Sequence, residues 1–191
     1  MADALARLLE GVSRNDLARR SAAITARYRA GEGSQHAVRD RLDALAYAAA
    51  RMPATRAAVA QALFRLREAM PELAPASLLD LGCGAGAATL AALDAFPSLA
   101  EATLVDRNEA MLALARDLTH GTGARVAAHL SDLAREQAPR EADLVTMAYV
   151  LVEAPADAAA ALATRAFAQA RAALVLVAPG TPAGFERLRA A

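Results

Sequence analysis

The sequence predicts an α/β fold in which a parallel sheet is covered by helices and follows a purely helical segment. Residues 1–75 carry apolar side chains at helical spacing and show no strand pattern. From residue 76 onward, short apolar runs alternate with helical stretches, which is typical of a parallel sheet covered on both faces. We therefore expect a helical subdomain over residues 1–75 and an α/β domain over residues 76–191.

The composition favours many helices and a core of small side chains. Alanine, the strongest helix former, accounts for 56 of the 191 residues, and aromatic residues account for 4%. The net charge of zero is uneven, because residues 1–75 hold 12 arginines against 8 acidic residues and the rest holds 9 against 13. The basic first part could meet RNA phosphate, although a solvated helix face is the simpler interpretation.

Helices are predicted throughout the first part of the chain. The two glycines at 31 and 33 predict a loop over residues 31–34. Pro53 suits the first turn of a helix, because its missing N–H would have no partner there. The predicted helices cover residues 3–12, 15–28, 35–51 and 53–70.

The second part predicts five strands separated by helices. Ligands of parallel α/β sheets bind at the carboxyl ends of the strands, so we expect binding residues directly after them. The predicted strands cover residues 77–81, 102–106, 125–130, 143–150 and 173–177. The predicted helices cover residues 87–95, 108–119 and 156–171, and a helical tail follows Pro179-Gly180.

The most informative motif is a glycine turn at the end of the first strand, with the sequence Asp80-Leu81-Gly82-Cys83-Gly84-Ala85-Gly86. Glycine tolerates positive φ and lets a ligand approach the backbone, and the helix N-terminus that follows favours electron-rich atoms. The glycines also match the dinucleotide fingerprint of nicotinamide oxidoreductases. Asp80 would repel a pyrophosphate, whereas it could hold the ammonium of S-adenosyl-L-methionine. We therefore favour S-adenosylmethionine, with NAD as the alternative.

Further candidate residues follow the other strands. Asp106 ends the second strand and could accept both ribose hydroxyls, or cap a turn. Asp132 could contact the adenine amino group, or cap a helix. Tyr149 could stack on a base or belong to the core, and Cys83 is expected to be a small turn residue rather than a nucleophile. The predicted cofactor-binding residues are Asp80, Gly82, Cys83, Gly84, Gly86, Asp106, Asp132 and Tyr149.

No catalytic residue emerges from the sequence. Met147-Ala148-Tyr149-Val150 stands where enzymes that methylate exocyclic amines usually carry Asn/Asp-Pro-Pro-aromatic, and the chain has no lysine. Glu153 could act as a base, although an acid at this point more often stabilises the next helix N-terminus. The three histidines lie far apart in the sequence, so we expect no metal site.

The Asp-x-Gly-x-Gly-x-Gly pattern resembles the first motif of class I methyltransferases. Arg51-Met52-Pro53-Ala54-Thr55, Tyr149-Val150-Leu151 with Glu153, and Pro179-Gly180-Thr181-Pro182-Ala183-Gly184-Phe185 resemble the ribosomal small-subunit methyltransferase-like family of bacteria and mitochondria. The resemblance covers about residues 20–190. It implies a Rossmann-like class I fold, S-adenosyl-L-methionine as cofactor, and a methyltransferase-like role with the small ribosomal subunit or its rRNA. The alternative is a non-catalytic ribosome- or RNA-binding assembly factor that retains the pocket.

The resemblance also allows a prediction about the last strands of the sheet, and other sequence features predict the cellular location. The class I fold adds two further strands, and the family carries a C-terminal cysteine cluster for an iron–sulfur centre. Neither pattern follows the fifth strand, so we expect a sheet truncated there. Cys83 is the single cysteine, and no secretory signal or membrane-length apolar run is evident. We expect a cytoplasmic protein with no membrane or DNA partner.

Overall fold

The computed structural model describes residues 2–30, 34–135 and 141–191. Five strands and eight helices lie within these ranges. The strands are β1 (Ser77–Leu81), β2 (Glu101–Asp106), β3 (Arg125–Leu130), β4 (Ala142–Ala148) and β5 (Ala170–Val177). The helices are α1 (Ala2–Leu8), α2 (Arg14–Arg29), α3 (Ser34–Ala37), α4 (Arg41–Ala69), α5 (Ala87–Ala95), α6 (Glu109–Thr119), α7 (Ala156–Gln169) and α8 (Pro182–Arg189).

The strands form one parallel sheet in the order β3-β2-β1-β4-β5. The central strand β1 pairs with β2 on one side and with β4 on the other. The strand order reverses at this point, so a crevice opens beyond the carboxyl ends of β1 and β4. The predicted α/β class, with a five-stranded parallel sheet, is confirmed.

Helices cover both faces of the sheet, because successive side chains of a strand point to opposite faces. Leu78 and Leu104 pack on one face against Val59 and Leu63 of α4 and against α5. Leu79, Val105 and Met147 pack on the other face against α7. None of the described helices combines the length and the apolar character that crossing a bilayer requires.

The helices of residues 1–75 share a hydrophobic cluster with the α/β part. Ile24 of α2 and Leu45 of α4 belong to the same buried cluster as Leu90 of α5 and Leu114 of α6. Each of these four side chains is at most 5% exposed. The helical segment is therefore an extra layer packed on α5 and α6.

The predicted helix boundary at Pro53 is wrong. Helix α4 runs without interruption from Arg41 to Ala69 and contains Pro53. The Pro53 ring is exposed, while Met52 and Val59 on either side are buried, so packing holds the helix together through the proline. The helix begins after Asp40, whose side chain accepts the Asp43 N–H. Of the predicted loop over 31–34, residues 31–33 lie outside the described residues, and Ser34 begins α3.

The end of β4 and the start of β5 differ from the prediction by two or more residues. Strand β4 ends at Ala148 because Tyr149 adopts a φ of 64°, which cannot continue a strand. Strand β5 begins at Ala170, where the sequence predicts helix, because Ala170 pairs with Ala142 of β4 and, after a register shift, Ala173 pairs with Leu144. Alanine favours helix locally, and the tertiary pairing overrides that preference.

Candidate functional site

The glycine turn joins β1 to α5 through three residues with positive φ: Gly82 (69°), Gly84 (53°) and Gly86 (83°). The N–H groups of Gly82 and Cys83 donate to the Val105 carbonyl at 2.8 and 3.0 Å, which fastens the turn to β2. A Cβ on Gly82 would overlap Val150 Cγ2. Glycine is therefore required at position 82 for both conformation and space.

Gly86 lies at a helix contact, unlike the other two glycines. It caps α5 in the left-handed conformation, and a Cβ there would lie 3.3 Å from Ala115 Cβ of α6. It does not border either of the cavities described below. Its position accounts for a close α5–α6 contact.

Asp80 is 1% exposed and joins three elements. Its Oδ2 accepts the Thr89 N–H at 3.0 Å and the Thr89 hydroxyl at 2.6 Å, and its Oδ1 accepts the Thr146 hydroxyl at 2.9 Å. Burial raises the pKa of Asp80 to about 6, and the threonine hydrogen bonds oppose this rise. The carboxylate thus holds β1, α5 and β4 together beneath the turn.

Asp106 ends β2 and is 8% exposed. Its Oδ2 accepts the Gly84 N–H at 2.7 Å, and its Oδ1 accepts the Asn108 N–H at 2.8 Å. Burial raises the pKa of Asp106, while these two hydrogen bonds lower it. The carboxylate connects the glycine turn with the end of β2.

Asp132 and Tyr149 occupy the loops after β3 and β4. The Asp132 carboxylate accepts the Ala134 N–H at 3.0 Å and lies 3.6 Å from Arg135 Nε. Tyr149 is the one non-glycine residue with positive φ among residues 2–30, 34–135 and 141–191. Its N–H donates to the Val177 carbonyl at 2.7 Å, which holds the unusual backbone in place.

A cavity of about 940 Å³, including its open mouth, lies at the carboxyl ends of the strands. Gly82, Gly84, Asp106, Asp132 and Tyr149 border it. The strand-end positions picked out in the sequence therefore converge on one cavity.

A smaller cavity adjoins the larger one beneath the glycine turn. Asp80, Cys83 and Met52 border only this smaller cavity, whereas Gly82 and Gly84 border both. Cys83 is buried, and burial raises the pKa of its thiol. Of the eight predicted site residues, seven border one or both cavities, and Gly86 does not.

Two aromatic residues of the site were not predicted. Tyr28 of α2 and Tyr47 of α4 border the larger cavity, with ring centroids 6.2 Å apart and planes tilted by 40°. Burial raises the pKa of both hydroxyls further above the ordinary tyrosine value, at which the ring is already neutral at pH 7. No sequence pattern assigns them to the site, although Tyr47 belongs to the string Leu45-Ala46-Tyr47 that contributes to the family resemblance, and the chain has three tyrosines in all.

An ion pair lies at the border of the larger cavity. Arg107 follows β2, Glu153 precedes α7, and Arg107 Nη2 lies 3.2 Å from Glu153 Oε2. Glu153 is therefore engaged with a guanidinium from the neighbouring loop. Across the described residues, no group of three or more His, Cys, Asp or Glu side chains is arranged to hold a metal ion.

The fold is shared with solved methyltransferases. Magnesium protoporphyrin IX methyltransferase from Synechocystis PCC 6803 with bound SAM aligns over 94% of this chain and 86% of its own, with a TM-score of 0.53 and 19% identity. A SAM-dependent methyltransferase from Leishmania major aligns over 65% of this chain and 51% of its own, with a TM-score of 0.55 and 16% identity. These likenesses show the class I, Rossmann-like methyltransferase fold alone.

The sequence comparisons identify a family, which the shared fold does not. Over 78 residues the chain is 42% identical to the human protein named "Ribosome assembly protein METTL17, mitochondrial"; the match spans 40% of this chain and 17% of that relative. The family described as "Mitochondrial small ribosomal subunit Rsm22" matches residues 41–191, more than half of the chain. Both findings agree with the resemblance drawn from the sequence motifs. The chain belongs to the Rsm22 family.

Proposed function

We propose that the chain is an S-adenosylmethionine-binding, methyltransferase-like protein that acts with the small ribosomal subunit. The observation that carries the proposal is the convergence of Gly82, Gly84, Asp106 and Asp132 on one cavity at the strand ends. Solved structures with the same fold have SAM or its product SAH bound. The cofactor supplies, when bound, a methyl group on a positively charged sulfur.

The polar groups of the larger cavity fit the adenosine part of this cofactor. A carboxylate offers about four acceptor positions, and the N–H groups of Gly84 and Asn108 use two of those of Asp106. The other two can accept the hydroxyls of a ribose. Asp132, on the next loop of the same cavity, is suited to an adenine amino group.

The smaller cavity fits the methionine part. Thr89 and Thr146 use three acceptor positions of Asp80, so about one stays available to an ammonium group. Gly82 and Gly84 have no side chains, so a ligand can lie against the backbone of the turn. We assign Cys83 to the wall of this cavity because its thiol is buried.

The proposed partner follows from the relatives. The description of the family names the mitochondrial small ribosomal subunit, and the human relative is named a ribosome assembly protein. We extend this association to the chain and include contact with rRNA in the proposal. The relative is named as mitochondrial, and the cytoplasmic location expected from the sequence stays a prediction.

A second candidate function is a non-catalytic assembly factor that binds the same cofactor. The observation that favours it is the Arg107–Glu153 ion pair, which engages the acid that the sequence offered as a base.

Radiolabelled S-adenosylmethionine and isolated small subunits separate the two candidates. Incorporation of label above that of an Asp106→Ala variant supports the transferase, and co-sedimentation without incorporation supports the assembly factor. If a folded sample shows neither incorporation of label nor co-sedimentation with the small subunit, the ribosomal role is contradicted.

Calorimetric titration tests the cofactor. We expect binding of S-adenosylmethionine and no binding of NAD. Asp106→Ala should weaken binding by about 1–3 kcal/mol, because it removes charged acceptors of the ribose hydroxyls. Asp117→Ala is the matched control, since Asp117 is an exposed aspartate on α6 that pairs with Arg41. Binding of NAD in place of S-adenosylmethionine would overturn the proposal.

A further inference from the structure

The three tyrosines of the sequence, Tyr28, Tyr47 and Tyr149, all border the larger cavity. They come from α2, from α4 and from the loop after β4, so the fold brings them together from distant parts of the chain. Tyr47 and Tyr149 also border the smaller cavity, whereas Tyr28 does not. Two tyrosines therefore lie where the two cavities meet.

The junction is otherwise lined by very small residues. The described residues that border both cavities are Tyr47, Gly82, Gly84, Ala148 and Tyr149. Beyond the backbone and one methyl group, the junction thus presents only phenol rings to a ligand. A group that occupies this point must be compatible with an aromatic surface.

The side chains that border the two cavities carry an excess of negative charge. The described charged side chains that border them are four carboxylates and one guanidinium: Asp80, Asp106, Asp132, Glu153 and Arg107. The excess of carboxylates favours a ligand with a positive group. The two tyrosines of α2 and α4 stay neutral, because burial and the nearby carboxylates raise their pKa. Neutral phenol rings attract cations through their faces.

We propose that Tyr47 recognises the positively charged sulfur of the ligand at this junction and makes the site prefer a sulfonium nucleoside to its demethylated counterpart, in which the sulfur is uncharged. This rests on the proposed function, in which the adenosine lies at Asp106 and the methionine end lies beside Asp80. The sulfur connects these two parts and therefore lies between the cavities, beside Tyr47 and Tyr149. Tyr47 is a specificity-determining residue in this arrangement.

The test compares three ligands by calorimetry: S-adenosylmethionine, S-adenosylhomocysteine and sinefungin, which carries a stable cationic amine in place of the sulfonium. The wild type should bind the two cationic ligands about 3- to 30-fold more tightly than S-adenosylhomocysteine. Tyr47→Phe keeps the ring and should keep this ratio. Tyr47→Leu should lower the ratio at least threefold, mainly by weakening the cationic ligands.

Phe64→Leu is the matched control, because Phe64 is an exposed aromatic residue of the same helix as Tyr47 and borders neither cavity. It should leave the ratio unchanged. A wild type that binds all three ligands equally, or a Tyr47→Leu variant that weakens all three by the same factor, overturns this proposal and leaves the proposed function intact. A folded wild type that binds none of the three overturns both. Where Tyr47→Leu does not fold, Tyr47→Met makes the same test, and a wild type without a preference for the cationic ligands overturns the proposal on its own.

Discussion

Single carboxylates hold the site together before any ligand is present. Asp80 connects β1 with Thr89 of α5 and Thr146 of β4, and Asp106 connects the glycine turn with the end of β2. Both are buried, so each depends on its hydrogen bonds to offset the loss of water. The residues proposed to bind the ligand are thus also part of the framework that shapes the cavity.

Asp80→Asn should change the pH dependence of stability. The pKa of Asp80 is raised from 3.8 in the unfolded chain to about 6 in the folded one. Between these values the folded state binds more protons, so the Asp80 contribution to stability falls as the pH rises from 4 to 6. Urea unfolding should show that the wild type loses about 2 kcal/mol relative to Asp80→Asn between pH 4 and 7. If the free energies of unfolding of the two proteins changed in parallel with pH, the raised pKa of Asp80 would be refuted.

Gly82→Ala should destabilise the fold by about 2–4 kcal/mol, since it adds the strain of a positive φ to an overlap with Val150. Gly121→Ala is the matched control, because Gly121 has a φ of 78° and no atom within 4 Å of the added Cβ. Its cost should be about 1–2 kcal/mol, from the backbone alone. Equal losses in chemical denaturation would mean that position 82 has room for a side chain.

From the sequence, residues can be placed together where the topology dictates their position. Asp106, Asp132 and Tyr149 follow parallel strands, and the carboxyl ends of such strands meet at one edge. Tyr28 and Tyr47 could not be predicted in the same way, because only the packing of the helical layer brings them to that edge. The Gly86 contact with Ala115 likewise depends on how two helices approach each other.

At the scale of elements, strong local patterns predict the boundaries of helices and strands correctly. Where the prediction differs from the structure, tertiary contacts determine the boundary. The predicted ranges of β1, α5 and β3 agree with the structure. The break expected at Pro53 is absent, because the buried face of α4 continues across it. The end of β4 depends on the positive φ of Tyr149, which no residue pattern in its neighbourhood indicates.

Pro53→Ala should stabilise the protein by about 1–2 kcal/mol. Alanine restores the helix hydrogen bond that proline cannot make, and the gain is partly offset by the greater freedom of the unfolded chain. Position 53 is exposed, so no packing is lost. Ala54→Pro, at the next exposed position of α4, should have the opposite effect. A lower melting temperature for Pro53→Ala would show that the proline stabilises this helix.

At the scale of the whole molecule, the helical layer and the sheet depend on each other. Ile24 and Leu45 share a buried cluster with Leu90 and Leu114, and α4 spans from this cluster to the face of the sheet. The spacing of apolar residues indicated a helical part and an α/β part, but it could not show this shared core. Because Tyr28 and Tyr47 belong to the helical layer, the cavity also depends on how that layer packs.

We expect one cooperative unfolding transition for both parts. Far-UV circular dichroism reports all helices and strands, and tyrosine fluorescence reports the surroundings of the cavity, so their denaturant midpoints should coincide. Leu45→Ala should lower both by the same amount, at a cost of about 2–5 kcal/mol. Two separate midpoints, with only one moved by Leu45→Ala, would show that the helical segment unfolds on its own.

A crystal structure grown with S-adenosylhomocysteine decides whether the cavity holds the cofactor as proposed. The predicted result is density for the ligand across both cavities, with the ribose hydroxyls on Asp106, the adenine beside Asp132 and the sulfur at the Tyr47 ring. Ligand density at a different place on the molecule, or a cavity that contains only solvent at saturating ligand, would contradict the assignment of this site.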